Sequence, residues 1–259
     1  MDTLIKLDTL DLAWALGMMA IAIGLSAWQR VGLEWNLAIA TGRTIIQLVM
    51  VGYLLELVFT VENPWVVLAI IAGMLTIATV VARNRISKKI PRLLPLLWGS
   101  IFVAAALTLS YTNLVVIRPD VWYSPQYLVP LAGIVLGNAM NGASIAGERL
   151  ASTISSSRLE IETYLSLGAT PEQAVAQYRR DAIKAGMIPT LNSMMAVGLV
   201  TLPGMITGQL LSGVSPLDAA SYQMLIMFML AFTTLVTTIL VTRGLCRLFF
   251  NQAAQLTLY

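Results

Sequence analysis

The stretch Ser157–Thr190 reads SRLEIETYLSLGATPEQAVAQYRRDAIKAGMIPT, and it is the longest polar interval in an otherwise apolar chain. Its centre is Leu167-Gly168-Ala169-Thr170-Pro171. Gly168 suits the left-handed backbone that ends a helix. Thr170 suits the N-cap of the next helix, Pro171 its first position, and Gln173 the reciprocal position of a capping box. Two short helices are therefore expected to meet at a sharp corner. Upstream, Leu159, Tyr164, Leu165 and Leu167 supply apolar side chains between Glu160, Glu162 and Ser166. Downstream, Ala174, Val175, Tyr178 and Ala182 make a helical stripe flanked by Arg179, Arg180 and Lys184. A connection of this length without a role is uncommon, so the corner reads as a contact surface.

Outward from it, the chain is lipid-like in composition. Hydrophobic residues make up 58% and charged residues 11%, against about 25% charge in soluble domains, and the mean hydropathy is +0.79. About 20 apolar residues span a bilayer core. Seven such spans can be drawn: Leu12–Trp28, Trp35–Leu55, Pro64–Ala82, Leu93–Asn113, Tyr127–Gly147, Ala185–Leu211 and Ser221–Thr242. The fold class is an all-α membrane protein of about seven transmembrane helices. Residues 1–259 form one transmembrane domain, with the polar corner region at about 148–186.

Charge sets the sides. Arg83, Arg85, Lys88, Lys89 and Arg92 fall on one face with Arg30, Arg149, Arg158, Arg179, Arg180, Lys184, Arg243 and Arg247. Lys6 and Arg118 fall on the other, with Glu62, Asp120 and Asp218. Positive residues mark the cytoplasm. The N-terminus is therefore expected outside and the C-terminus in the cytoplasm.

Several function classes fall away. The chain has no histidine and a single cysteine, Cys246, which excludes an internal disulfide and the usual zinc spacings. No GxxxxGK[ST] loop is present, so no P-loop binds ATP here. No basic stripe interleaves with aromatics, so nucleic acid is not an expected partner. Aspartyl, metallo- and serine-elbow protease chemistry lacks its residues.

Some polar residues lie inside the spans. Arg43 sits roughly 12 Å along the second span at 1.5 Å per residue, where a charge costs about 2.5–3.5 kcal/mol. Gln47 follows four residues later on the same face, and Glu56 lies near the outer end. Asn138, Asn141 and Ser144 recur at i, i+3 and i+6 on the fifth span. The sixth span holds Pro189, Asn192, Gly198, Pro203 and Gly204, a pattern of a kinked or broken helix whose backbone lines a cavity. Met194 and Met205 lie on it. Thioethers suit soft ions but also plain packing. Arg43, Gln47, Glu56, Asn138, Asn141, Asn192, Met194 and Met205 are thus the candidate translocation path. Whether any of them binds metal stays open.

The corner also carries a resemblance. Glu162, then Gly168-Ala169-Thr170-Pro171, resembles the cytoplasmic EAA loop of ABC-transporter permeases, with Thr163-Tyr164 where that family has two alanines. Gly42-Arg43-Thr44-Ile45-Ile46-Gln47-Leu48, Gly137-Asn138-Ala139-Met140, Ser166–Pro171 and Gly198–Met205 occur in order. Together they resemble the Fet-type iron-export permeases, whose plant relatives are linked to aluminium tolerance. The resemblance implies a permease subunit in a bacterial inner membrane, working as a homodimer with a separate ATPase that binds ATP and Mg. No cofactor is expected on this chain. It also implies that Glu162, Tyr164, Leu165, Gly168, Ala169, Thr170 and Pro171 couple to the ATPase, and that iron or another metal ion is exported. A nucleotide sugar or other small solute, or an ion-coupled secondary carrier, are the alternative readings.

Overall fold

The computed structural model describes residues 8–60, 63–251 and 253–257. Lys6 and Glu62, used above to set the sides, lie outside these. The described chain is helical, and six of its helices are long and apolar enough to cross a membrane. It divides into two compact units, residues 1–62 and 63–259.

The first unit is a hairpin of α1 (Thr9–Trp28) and α2 (Glu34–Thr60). The Asp11 carboxylate accepts from the Asp8 N–H at 2.9 Å, which satisfies one of the orphan donors at a helix start. Arg30 and Gly32 take positive φ in the connecting turn. Ser26 fastens that turn: its hydroxyl donates to Glu34 at 3.1 Å and accepts from the Leu33 N–H at 3.3 Å. Glu34 sits in the first turn of α2, where a carboxylate complements the helix dipole.

The second unit is a bundle built on two long helices. Its elements are α3 (Pro64–Ile86), α4 (Leu93–Tyr111, continued by a π-helical turn Thr112–Ile117), α5 (Pro125–Ser156), α6 (Arg158–Ser166), α7 (Pro171–Ala174), α8 (Ala176–Ala196), α9 (Gly204–Leu211) and α10 (Pro216–Leu248). α5 packs against α3, α4, α8 and α10; α10 packs also against α4, α8 and α9. On α5, Val135, Ala139, Ala143, Ala146, Leu150 and Ile154 are buried. Their spacing of three and four residues makes one stripe. The small alanines along it let neighbours approach, as helix packing in lipid requires.

α10 buries threonines instead: Thr233, Thr234, Thr237, Thr238 and Thr242 are all at most 1% exposed. A buried hydroxyl costs free energy unless it is hydrogen-bonded, and of these five only Thr237 has no partner among the described residues. Thr233 donates to the Met229 carbonyl at 2.8 Å and Thr242 to Thr238 at 2.7 Å. Across the bundle, the hydroxyls of Thr108 and Thr233 lie 2.6 Å apart. This polar seam was not singled out in the sequence, although Thr234, Thr238 and Thr242 recur every four residues, because threonines among so many apolar residues do not interrupt a spanning helix.

The sixth span expected from the sequence is divided. α8 ends at Ala196, residues 197–203 turn, and α9 begins at Gly204. Gly198 has φ +80°. The Ala196 carbonyl accepts from the N–H groups of Val200 and Thr201 at 2.9 and 3.1 Å, and Gly198 N–H donates to Thr201 O at 2.9 Å. The turn therefore satisfies its own backbone, the condition for breaking a helix in a dry environment. α8 carries Arg179, Arg180, Asp181 and Lys184 on its first half and α9 is only eight residues long, so neither is among the six long apolar helices.

Candidate functional site

The corner has the geometry its residues dictate. α6 ends in a Schellman arrangement: Gly168 has φ +89°, its N–H donates to Leu165 O at 3.0 Å, and Ala169 N–H donates to Tyr164 O at 3.0 Å. Only glycine takes this backbone without cost. Thr170 then caps the next turn. Its hydroxyl accepts from the Gln173 N–H at 3.3 Å, and the Gln173 amide oxygen accepts from the Thr170 N–H at 2.9 Å. Two helix ends are thus terminated within four residues, which restrains the bend.

Burial divides the corner into a root and a knob. Ile161, Ala174 and Val175 are buried, and Leu165 and Tyr178 pack against the same core. The Tyr178 hydroxyl is buried beside Glu160 and Ser157 without closing a hydrogen bond of regular geometry. Burial first, and then the Glu160 carboxylate, raise its pKa above the ordinary phenol value. The knob is apolar: Leu159 is 80% exposed, Leu167 79% and Tyr164 47%. Of the apolar residues expected to face a partner, Tyr164 is presented and Leu165 is turned inward. Leu159 and Leu167 are the exposed leucines of the corner instead. The reason is the 3.6-residue period, which puts Leu165 on the same side of α6 as buried Ile161, four residues earlier. Glu162 is held by Arg158 at 2.7 Å, an exposed pair worth about 0–1 kcal/mol.

The helix break forms the second feature. Where α8, the turn and α9 run beside α10, a cavity of about 250 Å³ is lined by Met194, Gly198, Ile206, Gln223, Met224 and Met227, among others. Gln223 is 5% exposed, and its amide oxygen finds no hydrogen-bond partner among the described residues. A buried acceptor left unpaired costs about 1–3 kcal/mol. The wall therefore presents three thioethers, with the unpaired Gln223 amide oxygen beside them but itself shielded from solvent. Gln223 escaped the sequence reading, since one amide near the start of a span looks interfacial. Met205 packs against the bundle core, and Asn192 is exposed.

The polar face expected on α5 separates. Ser144 is buried and donates to Met140 O at 2.7 Å. Asn138 is half-buried and donates to Ile134 O at 3.2 Å. Asn141 is exposed, and the Arg85 guanidinium reaches its amide oxygen at 3.5 Å. Steps of three residues drift by about 60° at 3.6 residues per turn, so i, i+3 and i+6 sweep across a face rather than line it. In the first unit, Arg43, Gln47 and Glu56 are exposed on α2. Among the described residues no three His, Cys, Asp or Glu side chains gather as a metal site.

Comparison with known proteins follows this geometry. Residues 9–250 match the family described as "Uncharacterised protein family (UPF0014)". The chain is 54% identical over 253 residues to the UPF0014 membrane protein slr1647 of Synechocystis, covering 98% of each chain. It is 35% identical over 246 residues to the "Probable iron export permease protein FetB" of Escherichia coli, covering 95% of this chain and 93% of that one. It is 33% identical over 245 residues to the "Protein ALUMINUM SENSITIVE 3" of Arabidopsis thaliana, covering 94% and 88%. No solved structure matches.

Proposed function

The chain belongs to the UPF0014 family of multi-pass membrane proteins, and from that premise we propose that it is the permease subunit of an ABC transporter that exports iron or another metal ion. Its setting is a bacterial inner membrane, as for its bacterial relatives. The energy comes from a separate ATPase subunit that carries ATP and Mg, and two permease copies form the translocating pair. The chain itself has no ATP site and performs no catalysis.

The observation that carries this reading is the corner Leu159–Gln173. It is restrained at its root, terminated twice in four residues, and apolar at its tip. A rigid knob transmits a push; a flexible linker dissipates it. Closure of the ATPase pair moves the knob, and α5 and α8, which continue directly from it, move with it. The cavity beside the helix break supports a path along α8 and α10, where the Gln223 oxygen and the thioethers of Met194, Met224 and Met227 hold a cation transiently. The relative named an iron export permease supports the metal.

The test is reconstitution with the cognate ATPase in proteoliposomes. ATP-dependent movement of ferrous iron is the expected result. Movement of a nucleotide sugar in place of iron would replace the substrate and keep the permease. Transport driven by an ion gradient without ATP would overturn both.

A further inference from the structure

Beside the corner, α8 and α10 run antiparallel and open two adjoining clefts. The larger, about 390 Å³, is lined by Glu172, Arg179, Ile183, Ile239 and Arg243. The smaller, about 240 Å³, shares Glu172, Arg179 and Arg243 and adds Arg247 with others. Arg179, Arg243 and Arg247 form no ion pair or side-chain hydrogen bond with any described residue. Glu172 lines both clefts yet closes no ion pair with them. Three guanidiniums face one carboxylate. Such a concentration of like charge is stabilised by an anion, and the planar forks of arginine match phosphate oxygens.

The second half of the observation is apolar. Ile183 lies one turn from Arg179 and Ile239 one turn from Arg243, so both helices step from charge to hydrocarbon at the same level. On α10 the step continues. Ile239, Leu235, Phe232 and Phe228 are 43%, 40%, 49% and 63% exposed, and their spacing of four, three and four puts them on one face. From Ile239 to Phe228 is roughly 16 Å at 1.5 Å per residue, close to the ~15 Å of half a bilayer core. A free phosphate uses only the arginines. A phospholipid uses the arginines and the track beneath them.

We propose that Arg179, Arg243 and Arg247 hold the phosphate of an anionic phospholipid whose acyl chain lies along the Ile239–Phe228 face of α10. The site stands at the root of the corner, so an occupied cleft ties α8 to α10 where the knob joins the bundle. It does not depend on which solute the protein carries.

Native mass spectrometry of the purified full-length chain tests it, with phosphatidylglycerol and phosphatidylcholine titrated in detergent. The expected result is retention of phosphatidylglycerol about tenfold or more over phosphatidylcholine, the order expected for a few basic contacts near a membrane surface. The double variant Arg179→Gln/Arg243→Gln loses that preference, Arg179→Lys/Arg243→Lys keeps part of it, and Arg118→Gln leaves it intact. Inorganic phosphate at equal concentration fails to displace the bound lipid. Equal retention of the two lipids overturns the proposal, including the case in which an acidic protein surface is the true occupant. An equal loss in Arg118→Gln overturns it in favour of diffuse charge. Displacement of the lipid by inorganic phosphate overturns it in favour of a free-anion site. If the glutamine variant does not purify as a single species, the wild-type selectivity and phosphate competition decide alone.

Discussion

Gly142 on α5 and Gly186 on α8 meet backbone to backbone. A Cβ placed on Gly186 would stand 2.9 Å from the Gly142 carbonyl oxygen, 2.8 Å from the Thr238 methyl of α10 and 3.0 Å from the Ala146 Cβ. Three helices of the second unit converge on this point, and a carbonyl oxygen has no rotamer by which to retreat.

Gly186→Ala is therefore expected to destabilise the bundle by about 1–3 kcal/mol, the usual cost of overpacking. Gly137→Ala, where a Cβ meets nothing within 4 Å, serves as the control. Thermal unfolding of both purified variants in detergent is the measurement. Equal midpoints for the two would mean that the three helices are not held this closely.

At the corner the expectation is reversed, with stability kept and function lost. Gly168 has φ +89° and open space around it, so Gly168→Val meets backbone strain of about 1–2 kcal/mol and no clash. The variant should insert and fold, yet fail to retain the ATPase on copurification. Gly168→Asn, which tolerates the left-handed region, should recover part of it. Undiminished ATPase capture and transport by the valine variant would reduce this stretch to a linker.

The Gln223 oxygen separates transport from folding in the same way. Replacement by Leu removes an unpaired buried acceptor at similar size, so the melting temperature should hold or rise, since the penalty of about 1–3 kcal/mol disappears. If the oxygen serves a passing cation, transport should fall by on the order of tenfold, the worth of one interaction of about 1.4 kcal/mol. Normal transport by Gln223→Leu would remove the cavity from the path.

Orientation can be checked by labelling. Asp120 and Lys88 are both exposed, and the native Cys246 is buried, so the background should be low. A cysteine at Asp120 should react with an impermeant thiol reagent applied outside intact cells, and one at Lys88 only after the membrane is opened. The opposite pattern would invert the expected topology.

Much was legible in the sequence because local chemistry sufficed. Thr170, Pro171 and Gln173 specify a helix start wherever they stand, and Gly168 a helix end, so the corner could be written down before any packing was known. That the sixth span kinks or breaks was readable from its prolines and glycines, but not where, since Pro189 stays inside α8 and the break falls between Ala196 and Gly204. Long apolar runs gave the membrane helices, since length and hydropathy are properties of one segment at a time.

What the sequence could not decide was which side of each helix faces a neighbour. Leu165 and Leu167 are equally apolar, yet one packs inward and the other is 79% exposed. Asn138, Asn141 and Ser144 share a spacing and end in three different environments. The threonine seam of α10, the unpaired Gln223 and the cleft of Arg179, Arg243 and Arg247 arise only where residues from different helices, up to 125 positions apart, come together. In a chain this apolar, hydrophobicity distinguishes lipid from water but not lipid from protein. The inner face is chosen by small residues and hydroxyls that fit across helices, and that fit exists only once the helices have packed.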